Sequence, residues 1–319
     1  MPSEFDLIRR HFTRPARHTD LAVGDDAALL APRRGMQLAV STDMLVAGTH
    51  FFADTDPEAL GWKTLAVNVS DLAAMGAEPR WAVLALALPA ADEAWIDAFA
   101  RGFFACADAF GVDLAGGDTT RGPLTLCVTI FGEVPAGGAI TRSGARAGDD
   151  LWITGAPGQA ALGLAHLRNE VALGPDAARA CLAALHRPQP RVAFGQALRG
   201  LAGAMLDVSD GLLGDLGHIL ECSACGARID VTALPLAALH ALGADDALAR
   251  RCLLSGGDDY ELLFTAPPAR RDRLAALAQE HGLPLSRIGS ITANTGELLL
   301  READGREHPT AHRGYDHFA

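Results

Sequence analysis

The sequence predicts an α/β protein of two domains, with mixed sheets and helices packed on them. Three observations lead there. The 319-residue chain is 49% hydrophobic and 21% charged, enough apolar material for more than one core and too ordered a composition for a disordered chain. Apolar runs of strand length alternate with segments of helical periodicity. A stretch rich in Gly and Arg, residues 135–150, interrupts that alternation near the middle and reads as a linker, dividing a domain over 1–138 from one over 139–319.

In the first half, residues 37–45 (QLAVSTDML) read as a strand behind Gly35. Pro57 then opens a helix to about Met75, stopped by Gly76 and Pro79. Residues 82–88 form an apolar strand. Residues 92–110 carry helical periodicity with an acidic first turn and end at Gly111. Residues 124–134 (LTLCVTIFGEV) are again a strand. In the second half a short strand at 151–154 leads through TGAPG to a helix at 159–168, and helices follow near 175–185 and 190–201. After a turn at 207–211 comes a helix to about Cys222. Strands at 227–231, 260–265 and 287–291 alternate with helical segments.

Several function classes drop out. The formal net charge of −12 argues against a basic nucleic-acid surface, although an acidic site can take an anionic substrate when metal ions stand between them. The start, MPSEFDLIRRHF, lacks the basic and apolar regions of a signal peptide, and no apolar run is long enough to span a bilayer. Six cysteines in a chain of this size suggest no disulfide framework and point to the cytoplasm; Cys222 and Cys225 read as structural residues at a helix end. Lys63 is the only lysine and follows Trp62, so neither a phosphate-binding G-x-x-x-x-G-K-[ST] loop nor a kinase V-A-I-K strand exists.

What stands out is the placement of aspartates: Asp25 and Asp26 in VGDDAA, Asp43 in VSTDM, Asp71 in NVSDLAAMGA, Asp118 in AGGDTTRG, Asp207 and Asp210 in LDVSDGL, Asp258 and Asp259 in SGGDDYEL. Singly, each suits a turn or helix cap. Together, beside Gly, Ser or Thr and next to apolar segments, they read as strand ends and loops, where α/β proteins place ligands. Asp71 is different. It lies in an apolar helix with Asn68 on the same face, and a lone buried carboxylate is costly. No arginine lies in that helix, so a metal ion is the economical partner. The surrounding donors are oxygens without His and Cys clusters, which favours magnesium with phosphate over zinc or an EF-hand calcium site. Gly117 and Gly257 allow close backbone approach to a ligand, and the TGAPG turn can face an anion. Arg121 and Arg142 are either phosphate clamps or solvated loop arginines.

GDDAAL, STDMLVAGTHF, KTLAVNVSDLAAMGAEP, GGDTTRG, TRSGARAGD, DVSDGL, SGGDDYELLF and the closing GYDHF, in this order along the chain, resemble the thiamine-monophosphate kinase family. That resemblance implies the two-domain fold of aminoimidazole ribonucleotide synthetase, and phosphorylation of thiamine monophosphate by ATP to give thiamine diphosphate. It further implies a homodimer paired through the amino-terminal domain, with nucleotide and several Mg²⁺ ions between the domains. Matching positions would make Asp26, Ser41, Thr42, Asp43, Asp71, Asp118, Asp207 and Asp210 metal ligands. Gly117, Asp118, Arg142 and Ser209 would meet ATP, and His50, Asp258 and Tyr315 the thiamine substrate. No residue is needed as general base, because the acceptor phosphate is already ionised. Where the family usually has G-G-E-D, this chain has Gly256-Gly257-Asp258-Asp259. Within the wider superfamily, the absence of a cysteine near the amino terminus argues against selenophosphate chemistry, and His50 with GYDHF favours the thiamine reaction.

Overall fold

In a computed structural model, residues 4–310 are described. They form two compact units, one running up to Leu72 and resuming over Ala77–Gly137, the other made of Ala73–Gly76 and the chain from Gly138 onward.

The first unit opens with a short helix α1 (Glu4–Leu7) and a π turn (Ile8–Phe12), then pairs β1 (Thr19–Leu21) with β2 (Leu29–Leu30). Asp113 ties this segment down: its Oδ2 accepts from the backbone N–H of Arg17 and His18 and from the Thr19 hydroxyl. The main sheet contains β3 (Met36–Val46), β4 (Glu78–Leu88), β5 (Asp113–Arg121) and β6 (Thr125–Pro135) in the order β3-β6-β4-β5. The last strand inserts between the first two, antiparallel to both, while β4 and β5 are parallel. A parallel pair needs a crossover, which α3 (Glu93–Phe110) supplies; α2 (Pro57–Ala74) joins β3 to β4.

Local chemistry explains the helix ends. Asp92 caps α3 by accepting from Ala94 and Trp95 N–H, and Gly111 ends it in the left-handed region at φ 68°. The strand β4 begins four residues earlier than its apolar run suggested and includes Pro79. Helix α2 is buried on most sides. It meets α3 backbone to backbone: a Cβ on Gly102 would stand 1.7 Å from the Glu58 carbonyl oxygen, and one on Gly61 2.0 Å from that of Phe99.

The second unit is a seven-stranded sheet in the order β13-β12-β9-β11-β7-β10-β8. Its elements are β7 (Asp150–Thr154), α4 (Gln159–Leu167), α5 (Pro175–His186), α6 (Val192–Ala197), β8 (Met205–Asp207), α7 (Leu212–Ser223) and β9 (Gly226–Asp230). They continue with α8 (Ala237–Ala241), α9 (Asp246–Ser255), β10 (Leu262–Ala266), α10 (Arg271–Glu280), β11 (Leu285–Thr292), β12 (Leu298–Arg301) and β13 (Glu307–Pro309). All neighbours are antiparallel except β9 and β12. Alternate side chains of one strand enter different cores. Leu151 and Ile153 join Leu206, Leu216 and Leu263 on one face, whereas Trp152 joins Met205, Phe194 and Phe264 on the other. Helices cover both faces, so the central strands are apolar throughout rather than alternating. Trp152 and Phe264 are register partners whose rings stack with centroids 6.5 Å apart.

Two expectations fail here. Residues 113–121, rich in Gly, Asp and Thr, form a strand with Asp118 inside it, where Asp118 was expected at a strand end or in a loop, and Met205–Asp207 is a strand that the sequence presented only as the approach to a turn. Both have β neighbours to supply the hydrogen bonds that local propensity does not.

Replacing Gly102 by Ala is expected to destabilise the protein by about 2 kcal/mol or more, because neither backbone can retreat without opening the α2–α3 contact. Thermal unfolding measures it, and a wild-type midpoint would show that the helices are free to separate.

Candidate active site

Strand β3 and helix α2 face one another through polar groups. Ser41, Asp43 and Leu45 alternate toward the helix. The Ser41 hydroxyl donates to Asp71, the Asp43 N–H donates to Asn68 Oδ1 at 3.0 Å, and Asn68 Nδ2 donates to the Thr64 carbonyl at 3.1 Å. Thr64, Asn68 and Asp71 lie on one face of α2 through i+4 and i+3 spacing. Asn68 is completely buried and acts as a strut that fixes the register of β3 against the helix. Thr42 leaves this group: it lies on the opposite face of the strand and bonds the Thr129 hydroxyl at 2.9 Å. The expected triplet of adjacent ligands is therefore split, because successive strand residues face opposite ways.

Contrary to expectation, α2 carries a basic side chain. Lys63 lies in this same helix, 3% exposed, about two turns before Asp71. A buried lysine is thus part of the helix that carries the carboxylate.

Asp118 is exposed in the middle of β5, opposite Ala85 of β4, and not in a loop. Asp43 likewise sits within β3 and not at its end. Their strands are the two edges of the sheet, separated by roughly 14 Å along it at ~4.8 Å per strand. Gly117 is required by its neighbours: a Cβ there would come 1.9 Å from the Leu84 carbonyl oxygen. Asp26 is exposed, with its N–H donating to Asp25. His50 closes a turn after β3, its Nδ1 accepting from Val46 N–H at 3.0 Å, which places the ring proton on Nε2. Cys127, the register neighbour of Met44, has its thiol pushed up by burial and by the Asp43 charge.

In the second unit two turns are laced together. Val208, Ser209 and Asp210 follow β8, and Asp258, Asp259 and Tyr260 precede β10. The Asp258 N–H donates to Ser209 O and the Tyr260 N–H to Val208 O, both at 2.8 Å. A Cβ on Gly257 would meet the Ser209 carbonyl oxygen at 2.3 Å. Asp258 and Tyr260 both have positive φ, 66° and 52°, a cost that non-glycine residues accept mostly where surrounding bonds impose it. The Tyr260 hydroxyl donates to Asp258 Oδ1 at 3.1 Å. So the structure brings Ser209, Asp210 and Asp258 into one cluster at the end of β8 and the start of β10.

Buried acids stand behind it. Asp215 accepts from Ser209 N–H and Asp210 N–H, both at 3.0 Å, and burial pushes its carboxyl up to about 7. Asp259 accepts from Gly158 N–H at 2.7 Å at the start of α4; burial pushes it well up, and its Oδ2 is buried with no hydrogen-bond partner. Glu261 receives both arms of Arg191, at 2.8 and 2.5 Å, plus the Thr154 hydroxyl at 2.6 Å. Arg142 is exposed on the segment before β7, its backbone carbonyl accepting from the Ser223 hydroxyl at 3.2 Å. Tyr315 lies outside the described residues. Among the described residues, no group of three or more His, Cys, Asp or Glu is placed to hold a metal ion.

Sequence reasoning missed Asp215, Tyr260 and Ser223. The signal for Asp215 was available: a carboxylate in the first turn of an otherwise apolar helix, following the S-D-G turn. Tyr260 offered none, because its role depends on a left-handed backbone.

This architecture defines a class. Residues 24–134 match the AIR synthase related protein N-terminal domain, and residues 146–300 match its C-terminal domain. A thiamine-monophosphate kinase of Salmonella typhimurium (strain LT2) is 48% identical over 99% of this chain and 98% of its own length. A crystal structure of the thiamine-monophosphate kinase from Stenotrophomonas maltophilia K279a, 48% identical, superposes with a TM-score of 0.83 over 91% of this chain and 92% of that one. Another solved structure, AaThiL complexed with AMPPCP and TMP, is 29% identical with a TM-score of 0.78, covering 93% and 92% of the two chains. This chain belongs to the thiamine-monophosphate kinase family.

Replacing Glu261 by Ala strands the Arg191 charge and the Thr154 hydroxyl. The expected loss is about 3 kcal/mol or more, the scale for breaking a buried pair on one side, read from the urea midpoint. A change under about 1 kcal/mol would mean that water already serves Arg191.

Proposed function

We propose that this protein transfers the γ-phosphoryl group of ATP to the phosphate of thiamine monophosphate, giving thiamine diphosphate and ADP. The observation that carries the reading is identity of 48%, over nearly the whole of both chains, to a relative named for this reaction. The complex of a 29% identical homologue with AMPPCP, an ATP analogue, and TMP supports both substrates.

The donor chemistry fits magnesium. Ser41, Asp43 and Asp71 are hard oxygen donors held together by the β3–α2 bonds, and Asp207 and Asp210 lie on and just after β8. Neither group contains the sulfur or imidazole ligands that zinc favours. Small sets of carboxylates leave coordination positions for substrate phosphates and water, as magnesium prefers. Asp26, Thr42 and Asp118 complete the proposed ligand set, with Thr42 facing away from Ser41 and Asp43. Magnesium bound there would neutralise charge on the phosphates.

The chain's own residues then position the reactants. Gly117, Asp118, Arg142 and Ser209 hold the nucleotide, while His50 and Asp258, with Tyr315, hold the thiamine substrate. Asp258 reaches less far than glutamate would, but Tyr260 and the Ser209 carbonyl fix it from two directions. In the reaction an acceptor phosphate oxygen bonds to the γ-phosphorus as the bond to the ADP oxygen breaks. No proton has to be removed from the acceptor, so placement and charge stabilisation carry the rate.

The first unit is the proposed dimer surface. Edge strand β3 exposes Leu38, Val40 and Met44 on one face, and an exposed apolar edge strand invites pairing unless it is covered. The proposed compartment is the cytoplasm, where ATP is available and thiols stay reduced; all six cysteines are free. Among the described residues no helix is long and apolar enough to cross a membrane.

Incubation with ATP, Mg²⁺ and thiamine monophosphate should yield thiamine diphosphate and ADP in equal amounts, resolved by chromatography. ATP–Mg²⁺ binding without acceptor-dependent ADP would discard the substrate. Asp43→Asn and Asp71→Asn are each expected to lower turnover at least roughly 100-fold, and near-normal turnover in folded Asp71→Asn would sink the metal assignment. Val40→Glu should shift the light-scattering mass from dimer to monomer; an unchanged dimer would move the interface away from β3.

A further inference from the structure

We propose that Asp215 and Ser223, near the two ends of helix α7, are positioning residues that hold the 209–210 turn and the 142–145 segment so that Ser209 and Arg142 meet one nucleotide. The inference rests on the nucleotide reading above and adds the residues that set its geometry.

Asp215 is 4% exposed, and a single carboxylate oxygen accepts from two consecutive backbone N–H groups, those of Ser209 and Asp210. Those two donors are thereby committed inside the protein. Ser209 is left to meet a ligand through its side chain, and the Asp210 carboxylate is carried on a backbone that this bond restrains. At the other end, the Ser223 hydroxyl uses its full bonding capacity on the opposite segment. It accepts from Gly144 N–H at 3.1 Å and Ala145 N–H at 3.2 Å and donates to the Arg142 carbonyl. The helix between is rigidly seated, with Leu212, Leu216, Ile219 and Leu220 all buried in the main core. From Asp215 to Ser223 it spans about 12 Å at ~1.5 Å per residue. Helix α7 therefore sets the separation of two segments far apart in sequence, and neither Asp215 nor Ser223 needs to touch the ligand.

The test is calorimetric binding of AMPPCP with Mg²⁺, alongside kcat and KM for both substrates, on the full chain. Asp215→Ala leaves two N–H groups without their acceptor and should weaken AMPPCP binding about tenfold or more, the scale of one lost charge-assisted hydrogen bond. Asp215→Asn keeps a carbonyl oxygen for the same two donors and should return affinity to within roughly threefold of wild type. Ser223→Ala should weaken AMPPCP roughly threefold or more and leave the KM for thiamine monophosphate unchanged. Wild-type AMPPCP affinity in folded Asp215→Ala overturns the proposal. So does Asp215→Asn binding as weakly as Asp215→Ala, which would make the charge itself the active feature. If Asp215→Ala does not fold, Ser223→Ala decides, and its unchanged affinity overturns the proposal. A wild-type protein that binds AMPPCP but makes no thiamine diphosphate overturns the functional reading instead.

Discussion

Backbone hydrogen bonds between the turn after β8 and the turn before β10 set the geometry of the second unit's acidic cluster. Asp258 and Tyr260 donate to Ser209 and Val208, and the contact is close enough that Gly257 can carry no side chain. Two non-glycine residues held at positive φ follow from it. Strain of this kind persists only where neighbouring bonds outweigh it, and here they come from the register of β8 against β10. Side chains with separate roles in the proposed reaction are consequently carried by one rigid piece of backbone. That suits a reaction governed by placement more than by proton transfer.

The first unit solves a related problem by different means. Its polar group is placed by a helix and an edge strand, and buried Asn68 bonds the backbone of both. The helix can approach so closely because Gly61 and Gly102 remove two side chains from the α2–α3 contact. Helix α2 thus carries both the close contact at Gly61 and, further along, Asp71. Lys63, buried in the same helix, adds a basic side chain to a segment whose other polar groups include Thr64, Asn68, Ser70 and Asp71.

An acidic protein acting on two polyanions is consistent on these terms. Net negative charge of −12 would repel the substrates if the carboxylates stood alone. In the proposed reaction, magnesium held by these carboxylates would offset that charge. Buried acids behind the cluster do structural work. Asp215 and Asp259 each accept from backbone N–H groups at the start of a helix, where the helix dipole also favours negative charge.

Much of this was legible from the residues. Helices α2 and α3, with Pro57, Asp92 and Gly111 at their ends, follow from local capping chemistry and apolar period, which act within a few residues. The aspartate motifs in order identified the family, because spacing along a chain survives without knowledge of its folding. Tertiary structure decided the rest. It made a strand of 113–121, since sheet partners supply bonds that a Gly-rich segment does not seek by itself. It turned Thr42 away from Ser41 and Asp43, put Asp43 and Asp118 on opposite edges of one sheet, and gave Asp215 and Tyr260 their partners. Each of these depends on contacts between segments distant in sequence, and no local propensity or motif encodes which backbone groups such a segment will meet.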